Sequence, residues 1–217
     1  MPHPFHPDDF PINTAAPLRP TRTFYLRSAI HFKTDAQIYE LTGRLRQPWD
    51  GFSHAFLDET SALASSLRES GAAPTYAVGS CGNMMRTIKT MTDARGDKVC
   101  DLNITFVSFD LSTVRFPPGS PHSRHQVEMW PVGDKGDDDA KHEAFVRHSV
   151  PYFWDMTAGR VGVLYKGLSQ RRVEIGRVAG FGFDKDAVLV LDGDELDDVV
   201  AISTCIILLN GRNAMDA

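Results

Sequence analysis

The sequence predicts a mainly β fold, a closed antiparallel β-barrel of about twelve strands threaded by a buried C-terminal α-helix. Three observations carry the prediction. The stretch DELDDVVAISTCIILLNGR, Asp194 to Arg212, is apolar all round, with Val199, Val200, Ile202, Cys205, Ile206, Ile207, Leu208 and Leu209 circling the axis and only Ser203 and Thr204 interrupting. Such a helix has no face to offer water. Upstream of it the chain breaks into short runs rich in β-branched and aromatic residues, each closed by Gly, Pro, Asp or Asn. A sheet of that many strands needs its inner face covered, and the helix needs cover on every side, so a barrel closed around the helix satisfies both.

The elements follow in order. Residues 1 to 22 hold six prolines and little apolar content, which predicts a flexible or clamped extended arm ahead of a barrel domain spanning 23 to 213. Strands are expected at Phe24 to Phe32, Ile38 to Leu45, Phe52 to Leu57, Tyr76 to Ser80 and Arg86 to Met91. Leu102 to Leu111 is apolar at both parities, as a strand covered on both faces would be, and Val127 and Met129 alternate with Gln126 and Glu128. Tyr152 to Met156, Val161 to Lys166, Val173 to Ala179 and Ala187 to Leu191 read as a four-strand meander, and the parity slip beside Gly176 marks a bulge. Ser61 to Ser70 is open between helix and strand, with Leu63 and Leu67 four apart on the helical side. Phe116 to His125 and Val132 to Glu143 read as long exposed loops. For the final helix, Asp192 or Asp194 is the expected cap and Asn210-Gly211 the expected stop. Its apolar run of about 11 residues is roughly half of what a bilayer crossing needs, so no transmembrane segment is expected.

Composition narrows the function classes. The 217 residues are 42% hydrophobic and 24% charged, an ordinary globular balance that suits one sizeable core. A net charge of −5 supplies no global field toward phosphate backbones, so nucleic acid is not an expected partner. Three widely spaced cysteines, Cys81, Cys100 and Cys205, argue for a reducing compartment, with Cys205 a core residue of the helix. MPHPFHPDDF has neither a basic n-region nor an apolar h-region, so no secretory signal is expected and a cytoplasmic location is.

The motifs YFWDM (Tyr152 to Met156), VGVLYKG (Val161 to Gly167), RRVEIGRVAGF (Arg171 to Phe181), AVLVLDG (Ala187 to Gly193) and LDDVVAISTCIILLNGRN (Leu196 to Asn213) follow one another in that order. In them the chain resembles the tubby C-terminal-like superfamily, which takes in tubby domains, phospholipid scramblases and LURP-one-related proteins, and within it a fungal branch. The resemblance is carried by the last 65 residues or so; FYLRSAIHF and AQIYELTGRL fit the early strands loosely. It implies a twelve-stranded barrel threaded by the C-terminal helix and, as in some members, contact between phospholipid headgroups and the outer surface. The tubby phosphoinositide residues fall outside the matched region, so none is carried over. Fold alone does not confer that activity.

Four basic residues are the candidate headgroup site: Lys166, Arg171, Arg172 and Arg177, on strands joined by one turn, because a phosphate is held by several converging charge-assisted hydrogen bonds. The competing reading is a solvated barrel exterior. His3 and His6, His122 and His125, and His142 with Glu143 are histidine pairs or His/Glu neighbours without the CxxC or HExxH spacing of a metal centre, so no metal is expected. The Asp137 to Asp139 run lacks the alternating ligands of an EF-hand loop. Cys81 in GSCGN would be a nucleophile only with a histidine beside it, and a tight turn is the simpler reading. The expectation is a non-enzymatic binding module without a cofactor, peripheral at membranes through anionic phospholipid headgroups. The alternative is a protein-interaction scaffold using the arm and long loops, with a Cys81 hydrolase a distant third.

Overall fold

The computed structural model describes residues 5–29, 35–83, 86–105, 111–122, 126–133, 142–156, 161–181 and 186–213. The expected Asp137 to Asp139 run, His3, His125 and the side chain of Cys81 lie outside the described residues. Twelve strands, β1 (Arg22–Arg27), β2 (Ala36–Glu40), β3 (Tyr76–Asn83), β4 (Arg86–Asp93), β5 (Lys98–Thr105), β6 (Ser112–Arg115), β7 (Val127–Val132), β8 (His142–Arg147), β9 (Val150–Asp155), β10 (Val161–Leu168), β11 (Arg171–Phe181) and β12 (Asp186–Leu191), form one closed antiparallel barrel. Each strand pairs with its neighbour in sequence, and β12 returns to β1, so the barrel closes, with the first residues of β11 extending beyond the reach of β12.

The helix α2 (Asp198–Asn213) fills the bore. Every residue from Val200 to Asn210 is buried, so the polar ones must find partners inside. They do. Thr204 accepts from the indole Nε1 of Trp154 at 3.2 Å and donates back to the Val200 carbonyl, Ser203 meets Cys100 Sγ at 3.4 Å, and Asn210 Nδ2 donates to the Ala29 carbonyl at 2.7 Å. At about 1.5 Å per residue its 16 residues are roughly 24 Å long, close to the reach of an eight-residue tilted strand. Its start lies later than either expected cap: Asp197 Oδ1 accepts from the Val199 and Val200 amides, and Asp192 instead closes a turn by accepting from the Asp194 amide. The helix also runs through Gly211, because Asn210 is enclosed and tied to Ala29 where a C-terminal stop was expected.

One expected strand is helical. Phe52 to Leu57 opens α1 (His54–Glu69), capped by Ser53 Oγ on the Phe56 amide at 3.2 Å. Phe56, Thr60, Leu63, Ala64 and Leu67 repeat at helical spacing and form its packed face, with Trp49 and Phe52 seated edge-on and the ring of Phe52 4.6 Å from that of Trp49. That settles Ser61 to Ser70 as helix up to Glu69. α1 lies over Tyr25, Tyr39, Val188 and Val190, which point outward while Phe24, Leu26, Ile38, Ala187, Leu189 and Leu191 point into the bore. β12 is thus buried on both faces, the reason AVLVL shows no alternation.

The four-strand meander stands as read, with the β10–β11 register shifting between Leu164 and Tyr165 opposite Glu174 and Gly176. The proline-rich arm is clamped. From Phe5 onward it crosses the outer wall of β9 to β11, and Ile12 makes a parallel bridge with Arg172. The Arg172 amide donates to the Pro11 carbonyl and the Asn13 amide to the Arg172 carbonyl, filling the part of β11 that β12 leaves unpaired.

A polar hollow between helix α1 and the barrel wall

The four basic residues expected to form a headgroup site do not come together as a free patch. Lys166 turns to the barrel mouth, where Nζ meets Glu195 Oε2 at 2.7 Å; burial opposes its charge, but that hydrogen bond and the charges around it leave its pKa raised. Arg177 grips Glu174 through both Nε and a terminal nitrogen, the second at 3.0 Å. Arg172 is buried under the arm, donating Nε to the Phe10 carbonyl at 2.8 Å with its guanidinium 5.3 Å from the Tyr165 ring centre. Arg171 alone of the four is exposed, at the end of the hairpin. The cause is local: strand alternation interrupted by the bulge sends neighbouring residues to different sides, and each side already has an acceptor.

The histidines have structural partners. His6 Nε2 donates to the Gly133 carbonyl at 2.9 Å, and His142 is buried beside Asp155. His122 Nδ1 accepts from Arg147 at 3.0 Å, packs at a tilt against Phe116 with ring centres 5.0 Å apart, and lies 3.6 Å from Asp197, the residue that caps α2. No group of three or more His, Cys, Asp or Glu side chains with metal-binding spacing occurs among the described residues. Cys100 and Cys205 are buried thiols whose pKa values are pushed up by burial, Cys100 to about 11, so both are held as inert thiols.

A different set of residues does converge. Between α1 and strands β1, β2 and β12 lies a hollow of about 220 Å³ lined by Tyr25, Arg27, Ser28, Tyr39 and Asp186 from the barrel. α1 supplies Ser61, Ala64, Ser65 and Arg68, spaced i, i+3, i+4 and i+7 on one helix face. The floor is held firmly. Asp186, buried, accepts from Tyr25 Oη at 2.6 Å and from the Ser28 amide at 2.6 Å, and that second bond fixes Ser28 at a φ of 54°. Both carboxylate oxygens therefore have donors. Tyr39 Oη and Arg27 both donate to Gln37 Oε1, at 3.2 and 3.3 Å, a pair that points the Arg27 guanidinium along the rim. Opposite it, Arg68 stands exposed in the last turn of α1.

Arg27 and Arg68 line the hollow together with one carboxylate, Asp186, so their formal charges leave it a positive surplus, and Ser28, Ser61, Ser65 and the two tyrosines add hydroxyls. The chemistry suits an anion with hydroxyl neighbours. Sequence reasoning missed it for a definite reason. Arg27 and Arg68 are 41 residues apart, and the i, i+4, i+7 polar stripe is visible only once Ser61 to Glu69 is known to be helical. Elsewhere Lys89 is fully buried in β4, its pKa pulled down to about 8 by burial and partly restored by Asp35. No helix among the described residues is long and apolar enough to cross a membrane. In comparisons with protein-family models, curated proteins and solved structures, no match to this chain is found.

Proposed function

We propose that the chain is a non-enzymatic binding module of the tubby C-terminal-like type, and that it holds an anionic phospholipid headgroup in the hollow between α1 and the barrel. The observation that carries this reading is the convergence of Arg27 and Arg68 on a hollow whose one carboxylate is already hydrogen-bonded. A phosphate monoester is of the right size and charge for two guanidiniums, and about 220 Å³ takes a headgroup rather than a large ligand. The bore supports the same conclusion, since α2 occupies it and any ligand must sit outside. Membership of the superfamily is supported by the strand number and the threaded helix. A cytoplasmic, membrane-peripheral location goes with this reading.

The test is vesicle pelleting at two salt concentrations. Vesicles carrying phosphatidylserine or phosphoinositide should pellet the protein at low salt and lose it as exposed charges are screened, while neutral vesicles should not. The double substitution Arg27→Gln, Arg68→Glu should weaken binding at least tenfold, and Arg171→Glu should not. Binding that survives the double substitution would place any headgroup elsewhere; no binding to anionic vesicles at low salt would favour a protein partner instead.

A further inference from the structure

The arm is held by interactions that do not depend on its belonging to the same chain. It adds two backbone hydrogen bonds to the strand edge at Arg172, of 3.0 and 2.8 Å, and a third from the Arg172 guanidinium to the Phe10 carbonyl. The Phe10 ring lies 5.5 Å from that of Phe153, and Phe5 packs behind it. Beneath them are Tyr165, Trp130 and Val163, an aromatic and aliphatic wall that water would otherwise meet. An open strand edge beside such a wall recruits extended chain from wherever it is available.

The tether is slack. Asn13 sits at Arg172, and the Thr21 amide donates to the Leu191 carbonyl, which is registered against Gly176. Arg172 and Gly176 are four residues apart on β11, about 13 Å, and β12 and β1 are one strand spacing of about 4.8 Å apart, so the direct path is roughly 14 Å. Eight residue steps separate Asn13 from Thr21, enough for roughly 28 Å. Pro17 and Arg19 are exposed, and among the tether residues only Leu18 joins an apolar cluster. Geometry therefore does not force the arm onto its own barrel.

We propose that the groove over β9 to β11 is an arm-exchange site, occupied by the arm of a second copy of this chain when the copies are concentrated. In the exchanged dimer each groove is filled by an identical arm, so the interactions there are the same as in the monomer. The balance is then set by the effective concentration of the tethered arm, on the order of millimolar for a short flexible link, and the monomer prevails at micromolar protein. Shortening the link removes the monomer's advantage. With residues 14 to 19 deleted, two steps join Asn13 to Thr21, a span of about 7 Å, and the arm no longer reaches its own groove.

Sedimentation and light scattering on the intact chain, from about 20 µM to about 2 mM around that millimolar effective concentration, should show monomer at the low end and a rising weight-average mass toward the high end. The chain lacking residues 14 to 19 should be dimeric at the lower concentration, should be driven to monomer by excess peptide of residues 1 to 13, and should lose dimerisation at least tenfold on Phe10→Ala. A flat monomer mass for the intact chain across the whole range would overturn the proposal, and that measurement decides the matter even where the shortened chain does not fold. So would a folded shortened chain that stays monomeric, or a dimer that Phe10→Ala leaves intact.

Discussion

Gly162 on β10 faces α2 across the barrel wall, and adding one methyl there probes how closely the helix is fitted. A Cβ at this position would lie 2.5 Å from Met156 Sδ, 2.9 Å from Val178 Cγ1 and 3.5 Å from Leu208 Cδ2. The three contacts are unequal. Met156 ends in a flexible thioether that can swing, and the Leu208 distance is ordinary packing; Val178 is fully buried with a stiff β-branched rotamer and cannot yield without moving β11. Overpacking of this kind costs about 1–3 kcal/mol, offset by about 0.4–1 kcal/mol from the lost freedom of glycine in the unfolded chain. Gly162→Ala should therefore destabilise by roughly 1–2 kcal/mol, a fall in Tm of roughly 2–8 °C for a chain of this size. Val178→Ala alone should also destabilise, through the cavity it leaves. Combined, the two should cost clearly less than their sum, because the new methyl fills the space that Val178 vacates, and the shortfall should be about 0.5–3 kcal/mol. Thermal and denaturant melts of the four proteins measure it. Additive costs, or a Gly162→Ala chain as stable as the parent, would refute Val178 as the residue packed tightly against Gly162 inside the barrel.

Two other perturbations separate burial from local sequence character. Lys89→Met should stabilise the protein at pH 7 by about 1–3 kcal/mol, because the folded pKa of about 8 lies below the unfolded value of ~10.4 and the penalty for holding the charge is full below pH 8. Across pH 8 to ~10.4 the unfolded chain keeps a proton that the folded chain has released, so Lys89 becomes less costly as pH rises and the gain from Met should shrink; a gain that does not fall toward about pH 10 would refute the assignment. Removing residues 1 to 13 should lower Tm by roughly 4–12 °C, since Phe5 and Phe10 leave the aromatic wall and the Arg172 edge is uncovered, at about 2–3 kcal/mol. A shift under about 2 °C would mean that the arm's packing contributes nothing net.

What could be read from the sequence was whatever depends on a residue and its near neighbours. The threaded helix was legible because an all-round apolar run has only one place to go, and the meander because its strands are adjacent in sequence and in the barrel. The helix start was not, since Asp192, Asp194, Asp197 and Asp198 are all chemically able to cap and only the fold shows that Asp192 is used in a turn and Asp197 on the amides of Val199 and Val200. Phe52 to Leu57 has the aromatic content of a strand, and its helical character depends on Ser53 and on residues up to eleven positions beyond Phe56. The basic patch failed because alternation, the bulge and the acceptors on each side, not proximity along the hairpin, decide where each cation points. Strand adjacency predicts which cations are near one another, but Glu195, Glu174 and the Phe10 carbonyl, which occupy three of them, come from the linker before α2, from a bulge and from the arm.

The hollow and the stability of β12 have a common origin in α1. A strand buried on one face alone would leave Val188 and Val190 in water, and α1 covers them with Phe56, Ala64 and Leu67. The same docking fixes the rotation of α1 about its axis: with Phe56, Thr60 and Ala64 facing the barrel, Ser61, Ser65 and Arg68 are brought to one border of the interface and held over Tyr25 and Asp186. The backbone position of Arg68 relative to β1 is thus set by apolar packing beside the hollow, and a small ligand would have little beyond the exposed Arg68 side chain to order. Such preorganisation lets a few polar contacts suffice for binding. It also means that changes to the packed face, such as Ala64→Leu, should disturb the hollow, which Ala64 itself lines, although they introduce no charge and leave Arg27 and Arg68 in place.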